Sequence, residues 1–470
     1  MARVRSNVVQ LAMANLDAIA TRGIAVPRYD RSGLSPRILH VGVGGFHRAH
    51  MARYTDELAS QGSDWGIRGA GLLAGDLRMA MTLRAQDHLY TLIARDSDTT
   101  EVSVVGSIVD FALVAGDEEE FARRVSDPDL AILSLTITEG GYSLKEHNAT
   151  IETIVSALER RLDAGTGPLT VLSCDNLPAN GDVARNAILA VAAGRSPQLV
   201  DRISATCTFP NSMVDRITPQ TTDTDREWLQ EQGIEDGWPV VCESFRQWVI
   251  EDVFAAGRPA WEDVGVLFSD RVHDWELYKL RMLNASHSCI AYLMALAGVI
   301  YVDEAIAMPE VGRYLRRLLA TEAIPTLREI PGHPPADYAE SVLHRFANTA
   351  VRDQIARLCI DGTSKLQSFV LPTIEAQLER DGPIACAALA LAGWARYLAT
   401  VPATDRAPDP HGAEAACIAR SALTDPVAFL ELNIFSERVR MSNRFRKAFE
   451  GASRQLAKHG PLGAIAALLS

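Results

Sequence analysis

Apolar and polar positions follow two different rhythms along this chain. From residue 37 to about 270, β-branched apolar runs of strand length recur between amphipathic segments. They are Arg37–Val43, Gly66–Leu73, Glu101–Val109, Leu130–Leu135 and Leu169–Ser173. Runs of this kind, several leading into helical periodicity, predict a βαβ sheet. Beyond about 271 they give way to Ala/Leu/Arg segments at helical spacing, punctuated by Pro309, Pro325, Pro331, Pro334, Pro335, Pro372 and Pro383. The expectation is an α/β N-terminal Rossmann-like nucleotide-binding domain over residues 1–271, followed by a mainly α-helical C-terminal domain over 272–470. Residues 1–36 predict a short helix, Asn7–Arg22, and a loop that wraps onto the body. Pro402–Pro410 predicts a surface loop, and no internal repeat is present.

A length of 470 residues exceeds what one core supports, which agrees with two domains. The net charge of −13 excludes a nucleic-acid partner, because phosphate binding needs a basic surface. It leaves room for small anions, which need only a local basic pocket. Seven scattered cysteines without Cys-x-x-Cys favour reduced thiols over a disulfide framework or a zinc ribbon. Arg3, Arg5, Asp17 and Arg22 interrupt the N-terminal apolar residues, so no signal peptide is read there. The apolar runs Ile290–Ile300 and Ile384–Leu391 are too short to span a bilayer. The expectation is a soluble cytoplasmic protein with no membrane or nucleic-acid partner, either monomer or dimer.

The run Arg37-Ile-Leu-His-Val41 leads into Gly42-Val-Gly44-Gly45-Phe46-His47-Arg48 and then a helical pattern. Glycines at such a turn let the backbone approach a pyrophosphate seated on the helix N-terminus. His47 stands at the third glycine position of the usual pattern, so the match is partial; its strand–turn–helix context is right. The next strand ends near Asp76, 32 residues beyond Gly44. A carboxylate there can accept from ribose hydroxyls and repel a 2′-phosphate, which favours NAD, or it can cap a helix; both roles are open. Gly42, Gly44, Gly45, Phe46, His47 and Asp76 are the candidate cofactor-binding residues.

The most informative polar pattern is Lys279-Leu-Arg-Met-Leu-Asn284-Ala-Ser-His287, which places an amine, an amide and an imidazole at i, i+5 and i+8. On an α-helix these three fall within an arc of about 140°, with Glu276 inside it. Leu277, Leu280, Leu283, Ile290 and Leu293 surround them with apolar side chains. A low-dielectric setting lowers a lysine's pKa, so the lysine can serve as a base. A buried helix with satisfied polar groups fits the same pattern. No Cys/His spacing of a zinc site is present, and His47 and His50 lie on the glycine turn, where a metal makes little sense.

Many collinear motifs settle a resemblance. His40-Val-Gly-Val-Gly-Gly-Phe-His-Arg-Ala-His50, Gln86-Asp-His-Leu-Tyr-Thr-Leu92 and Ser134-Leu-Thr-Ile-Thr-Glu-Gly-Gly-Tyr142 begin it. Ser173-Cys-Asp-Asn-Leu-Pro-Ala-Asn-Gly181, Pro210-Asn-Ser-Met-Val-Asp-Arg-Ile-Thr-Pro219, the lysine segment and Asp361-Gly-Thr-Ser-Lys365 complete it. From His40 to about Leu398 the chain resembles the long-chain polyol-specific dehydrogenases, the group holding mannitol 2-dehydrogenase, D-arabinitol 4-dehydrogenase and the fructuronate and tagaturonate reductases. The resemblance implies that Lys279 is the catalytic base and that Asn284 and Asn176 hold the substrate oxygen as it gains charge. It implies that His287 hydrogen-bonds the reacting hydroxyl, that Glu276 relays the proton, and that Asp215, Arg357 and Lys365 grip the remaining hydroxyls, all without metal. Two departures stand out. The segment after Tyr142 is shorter than in typical mannitol 2-dehydrogenases, and Gly75 stands where relatives often carry a second acid.

The chemistry agrees with the resemblance. Moving a hydride from a secondary alcohol to nicotinamide requires a base for the hydroxyl proton and donors for the alkoxide. The sequence therefore reads as an NAD-dependent polyol dehydrogenase converting D-mannitol to D-fructose, D-arabinitol to D-xylulose, or both. Its competitors are a hexuronate reductase of the same family, a β-hydroxyacid dehydrogenase of the 6-phosphogluconate type, and a nucleotide-binding sensor without turnover.

Overall fold

Six parallel strands carry the N-terminal unit of the computed structural model, which describes residues 8–143 and 148–470. They are β1 (Ser35–Val41), β2 (Trp65–Gly71), β3 (Ile108–Leu113), β4 (Ile132–Leu135), β5 (Leu169–Ser173) and β6 (Cys207–Thr208). Their order across the sheet is β3-β2-β1-β4-β5-β6, every neighbouring pair parallel. This is the doubly wound order, in which the chain reverses its direction of winding between β1 and β4 and opens a crevice beyond the strands' C-terminal ends. β4 and β5 are buried along their whole length, as parallel strands covered on both faces require.

Two expectations needed correction. Glu101–Val109 is not one strand. Thr100–Val105 pairs antiparallel with Tyr90–Arg95 in a separate three-stranded sheet, and only Ile108–Leu113 joins the main one. The break falls at Gly106-Ser107, where Arg31 donates to Gly106 O at 2.8 Å and to Ile108 O at 2.7 Å. Asp56 accepts from Gly106 N at 2.8 Å, so the backbone is tied on both sides of the break. The opening helix is also shorter than expected. Val9–Gln10 pairs as a strand with Ile234–Glu235, and helical turns cover only Met13–Asn15 and Leu16–Ala20. Asn7 lies outside the described residues.

The chain divides into two compact units at His273/Asp274. The second is helical throughout its elements, with Ala385–Thr400 nearly all buried at its centre. Three π-helical turns interrupt its helices, at Lys279–Asn284, Leu318–Ala323 and Leu366–Val370. The first packs against the other two and against the helix Pro335–Phe346. The loop Pro402–Pro410 is surface backbone as expected, and it anchors a neighbour: Asp361 N donates to Pro408 O at 2.8 Å, and Asp409 accepts from Thr363 N and Oγ1 at 2.8 Å. No helix among the described residues is long and apolar enough to cross a membrane.

Candidate active site

The glycine turn follows β1 directly. Gly42 has φ +89°, and a Cβ there would lie 2.0 Å from the carbonyl oxygen of Thr136, at the end of β4. Only glycine lets the two loops flanking the sheet's reversal come this close. Gly44 and Gly45 differ from it. A Cβ on either meets no protein atom nearer than 3.6 Å, so what their bareness leaves clear is the outer face of the turn. A pyrophosphate needs that face open to reach the backbone N–H groups, and these residues fit a dinucleotide.

Beneath the turn, His40 bonds Ser134 Oγ at 2.8 Å and Thr136 Oγ1 at 3.0 Å, while Thr136 Oγ1 donates to Gly42 O at 2.6 Å. Arg48 donates to Gly44 O and Trp238 O, and Tyr90 OH to Arg48 O. His47 needs a correction. It is 1% exposed and stacks on His40 with ring centroids 3.4 Å apart, so it props the turn from inside and cannot touch a cofactor lying on its outer face. Burial pushes His40 and His50 down to about 3 and His47 well below its usual value. Phe46 is half-buried and stacks on His50. Asp76 Oδ2 accepts from Leu73 N at 3.1 Å, closing the turn after β2. It thus has the capping role, with Oδ1 held by no hydrogen bond among the described residues.

The motifs at the ends of β4 and β5 are clamped together. Asp175 accepts from Ile137 N at 3.0 Å, Thr138 N at 2.8 Å and Tyr142 OH at 2.7 Å, and this holds Thr138 at φ +64°. A β-branched residue in that region is strained and persists only where its surroundings fix it. Asn176 follows Asp175 and is exposed. Asn180 exchanges hydrogen bonds with Ser212, which fixes the strand Ser212–Asp215 and buries Asp215 at its end. Arg216 is committed to backbone, donating to Ala49 O at 2.5 Å and Glu243 O at 3.0 Å. The shortened segment after Tyr142 lies partly outside the described residues, at 144–147.

In the helical unit the lysine segment departs from the expected α-helix. Lys279–Asn284 forms a π-turn, and α-helix resumes at Ala285–Leu296. In an α-helix, residues five apart diverge by about 140°. Where bonding runs i→i+5, they succeed one another along nearly the same line. The π-turn therefore narrows the arc and stacks Asn284 on Lys279, with His287 one α-turn further on. The i, i+5 spacing was itself the sequence signal. Lys279 and Glu276 are buried, and Asn284 Oδ1, Ser286 Oγ and His287 Nε2 are buried with no hydrogen-bond partner among the described residues. Rotation about χ2 exchanges the oxygen and NH2 ends of Asn284, so that site can offer a donor.

Sequence reasoning missed Asp353. Its carboxylate takes a fork from Arg357, Nε to Oδ1 at 2.6 Å and Nη2 to Oδ2 at 2.5 Å, and Oδ2 lies 3.9 Å from His287 Nε2. Burial works to raise this carboxyl, but Arg357 outweighs it and holds Asp353 below the usual range. Arg357 thus has a partner other than the expected substrate, although half its side chain stays exposed. Opposite charges at i, i+4 were the available signal. Lys365 directs Nζ at the carbonyls of Leu358 (3.3 Å) and Arg357 (3.4 Å), and burial lowers its pKa. Among the described residues, no group of three or more His, Cys, Asp or Glu side chains is placed to hold a metal ion.

Comparison with known proteins gives a consistent result. Residues 36–263 match the family described as mannitol dehydrogenase Rossmann domain, and 271–455 the mannitol dehydrogenase C-terminal domain. A mannitol 2-dehydrogenase of Phaeosphaeria nodorum is 38% identical over 99% of this chain and 86% of its own. One of Cereibacter sphaeroides is 41% identical over 80% of this chain and 84% of its own. Among solved structures, Pseudomonas fluorescens mannitol 2-dehydrogenase in ternary complex with NAD and D-mannitol aligns with TM-score 0.88 at 38% identity, covering 98% of this chain and 99% of that one. A substrate-free D-sorbitol dehydrogenase aligns with TM-score 0.86 at 35% identity, covering 94% and 97%.

Proposed function

Since the chain belongs to the mannitol dehydrogenase family, we propose that it oxidises a secondary alcohol of D-mannitol, D-arabinitol or both to the ketose, with Lys279 as general base and no metal. It is a polyol dehydrogenase, and NAD is its cofactor. One observation supports the residue roles above the others. Buried Glu276 and Lys279 lead into a π-turn whose next polar groups, Asn284 and His287, keep buried atoms without partners. Unmet hydrogen-bonding capacity is costly to hold, and a ligand that meets it is a physical reason for its presence.

Bound NAD supplies the hydride acceptor; the chain's residues do the rest. Lys279 Nζ takes the hydroxyl proton, and Glu276, three residues earlier, passes it on. The amides of Asn284 and Asn176 donate to the oxygen as it gains charge. His287 hydrogen-bonds the substrate, and Asp215, Arg357 and Lys365 are the groups for its other hydroxyls. On the nucleotide side, Gly42 sets the turn, Gly44, Gly45 and Phe46 line the pyrophosphate's approach, and Asp76 receives the ribose and disfavours a 2′-phosphate.

The D-sorbitol dehydrogenase likeness keeps a second polyol in view. The test is NADH formation by purified protein across mannitol, arabinitol, sorbitol, xylitol and mannonate, before and after prolonged EDTA. Mannitol or arabinitol is expected to give the highest kcat/KM, with NAD preferred over NADP and no loss to EDTA. Preference for mannonate would move the assignment to hexuronate chemistry. Loss of activity together with stoichiometric zinc would overturn the metal-free mechanism, and no turnover of any of these substrates would leave the nucleotide-binding sensor.

A further inference from the structure

His287 is gripped on two sides by groups that no sequence motif announced. Phe346 lies flat against its ring, with centroids 4.0 Å apart and planes within 9°, which fixes the ring plane. Asp353 Oδ2 lies 3.9 Å from Nε2, which is otherwise buried without a partner. Asp353 is itself held from several directions. Its carbonyl accepts from Val302 N at 2.9 Å, and Ile355 N donates to Ile300 O at 2.9 Å. Tyr301 and Gln354 form an antiparallel bridge across the same stretch. Arg352, the preceding residue, sits at φ +51°, and its guanidinium lies 3.6 Å over the Tyr301 ring. A non-glycine residue keeps that conformation only where its surroundings over-determine it. The backbone is thus built to deliver one carboxylate to one imidazole nitrogen, while Arg357 keeps that carboxylate ionised.

We propose that Asp353 is a positioning residue of the reaction: it keeps the proton of neutral His287 on Nε2 and so makes Nδ1 a hydrogen-bond acceptor for a substrate hydroxyl. An ionised carboxylate only accepts, so a nitrogen facing it must carry the hydrogen. The other tautomer would set a lone pair against negative charge. Closing 3.9 Å to hydrogen-bond range takes about 1 Å, and catalytic hydrogen bonds commonly tighten when the ternary complex forms. The consequence is directional. His287 accepts from an alcohol's hydroxyl and has no hydrogen to give the ketone oxygen, so donation to that oxygen falls to the amides.

This rests on the reading above that His287 meets the substrate. Two measurements separate the claims. In full-length protein labelled with 15N-histidine, with His287→Asn to assign the resonance, Nδ1 of residue 287 is expected to appear unprotonated and Nε2 protonated. In Asp353→Asn, whose amide can face the ring with either end, kcat/KM for the best polyol is expected to fall roughly 10- to 100-fold. The affinity for NAD should be unchanged, and Asp353→Glu should recover part of the loss. An active wild type whose 287 ring carries its proton on Nδ1 overturns the proposal alone. So does Asp353→Asn with wild-type kcat/KM per folded molecule. A wild type inactive on every polyol yet showing the Nε2–H tautomer overturns the reaction reading, and with it Asp353's part in that reaction.

Discussion

The molecule buries two sets of polar side chains, and they differ in what their hydrogen bonds are for. Under the glycine turn, His40, Arg48 and His50 are bonded to Ser134, Thr136, Gly44, Trp238 and Gln247, all within the same unit. On the π-turn segment, the unpartnered atoms belong to side chains on successive turns, Asn284 and His287. The first set is closed, and its product is the shape of a loop. The second is open, and it needs a further group to complete it. His47 shows that an orphaned nitrogen is not enough to mark an open site. Both of its ring nitrogens lack partners, yet the ring is sandwiched against His40 as a flat apolar plate. What separates the two is the convergence of several unmet groups on one line of a helix.

The sharpest way to break this comparison is at the open set. Lys279→Ala is expected to cut polyol oxidation by roughly 100- to 10,000-fold, the usual worth of a positioned general base, with NAD affinity and circular dichroism unchanged. Turnover near that of the wild type would remove the lysine from the mechanism. In the closed set, two glycine substitutions should part company. Gly42→Ala puts a Cβ 2.0 Å from Thr136 O at positive φ and should lower both the melting temperature and the affinity for NAD, the strain alone amounting to about 1–3 kcal/mol. Gly44→Ala has room within the protein and should weaken NAD at least about tenfold, or roughly 1.4 kcal/mol, without lowering the melting temperature. Equal effects on Tm from the two would mean that the turn's outer face is not the cofactor's.

The smallest effect is on acid stability. His40, His50 and His287 titrate near 3 when folded and near 6.5 when unfolded, so between those values the unfolded chain binds more protons. Stability must then fall as pH drops below about 6.5, by up to about 1.4 kcal/mol per pH unit for each such histidine. His47, lowered still further, adds to the same slope, and because it donates no hydrogen bond, His47→Phe should flatten that slope by about one proton. Urea unfolding at pH 5, 6 and 7 measures this. An unchanged slope would mean that His47 is already charged in the folded state.

Much of the architecture was legible because it rests on local patterns. The run from Arg37 into Gly42, the buried apolar strands and the change of rhythm after 271 each reflect the period of one element and what covers it. The failures came where a distant residue decided a local outcome. Glu101–Val109 reads as one continuous strand; Arg31 and Asp56, far off in sequence, hold the break at Gly106. His47 occupies a motif position, but the ring of His40 determines which way it faces. At the site, the residue types could be read from their spacing, whereas the π-turn could not, since i→i+5 bonding has no composition of its own. Asp353 was hidden for another reason. A carboxylate four residues before an arginine is among the commonest surface pairs, and only the strained backbone at Arg352 and the ring of His287 distinguish this one.

A π-turn is in effect an α-helix that has taken in one extra residue, and this gives the segment an arithmetic of its own. Removing any single residue between Lys279 and Asn284 would restore an uninterrupted α-helix of the same apolar character. The helix would still form, and its leucines would still find an apolar face. Everything after the missing residue would be rotated by about 100° relative to what precedes it. The imidazole and the amine would then leave the line they share. For this stretch length is therefore a stricter constraint than composition: conservative substitutions leave the register intact, while the loss of one codon would separate the base from its partners without disturbing the pattern by which the helix is recognised.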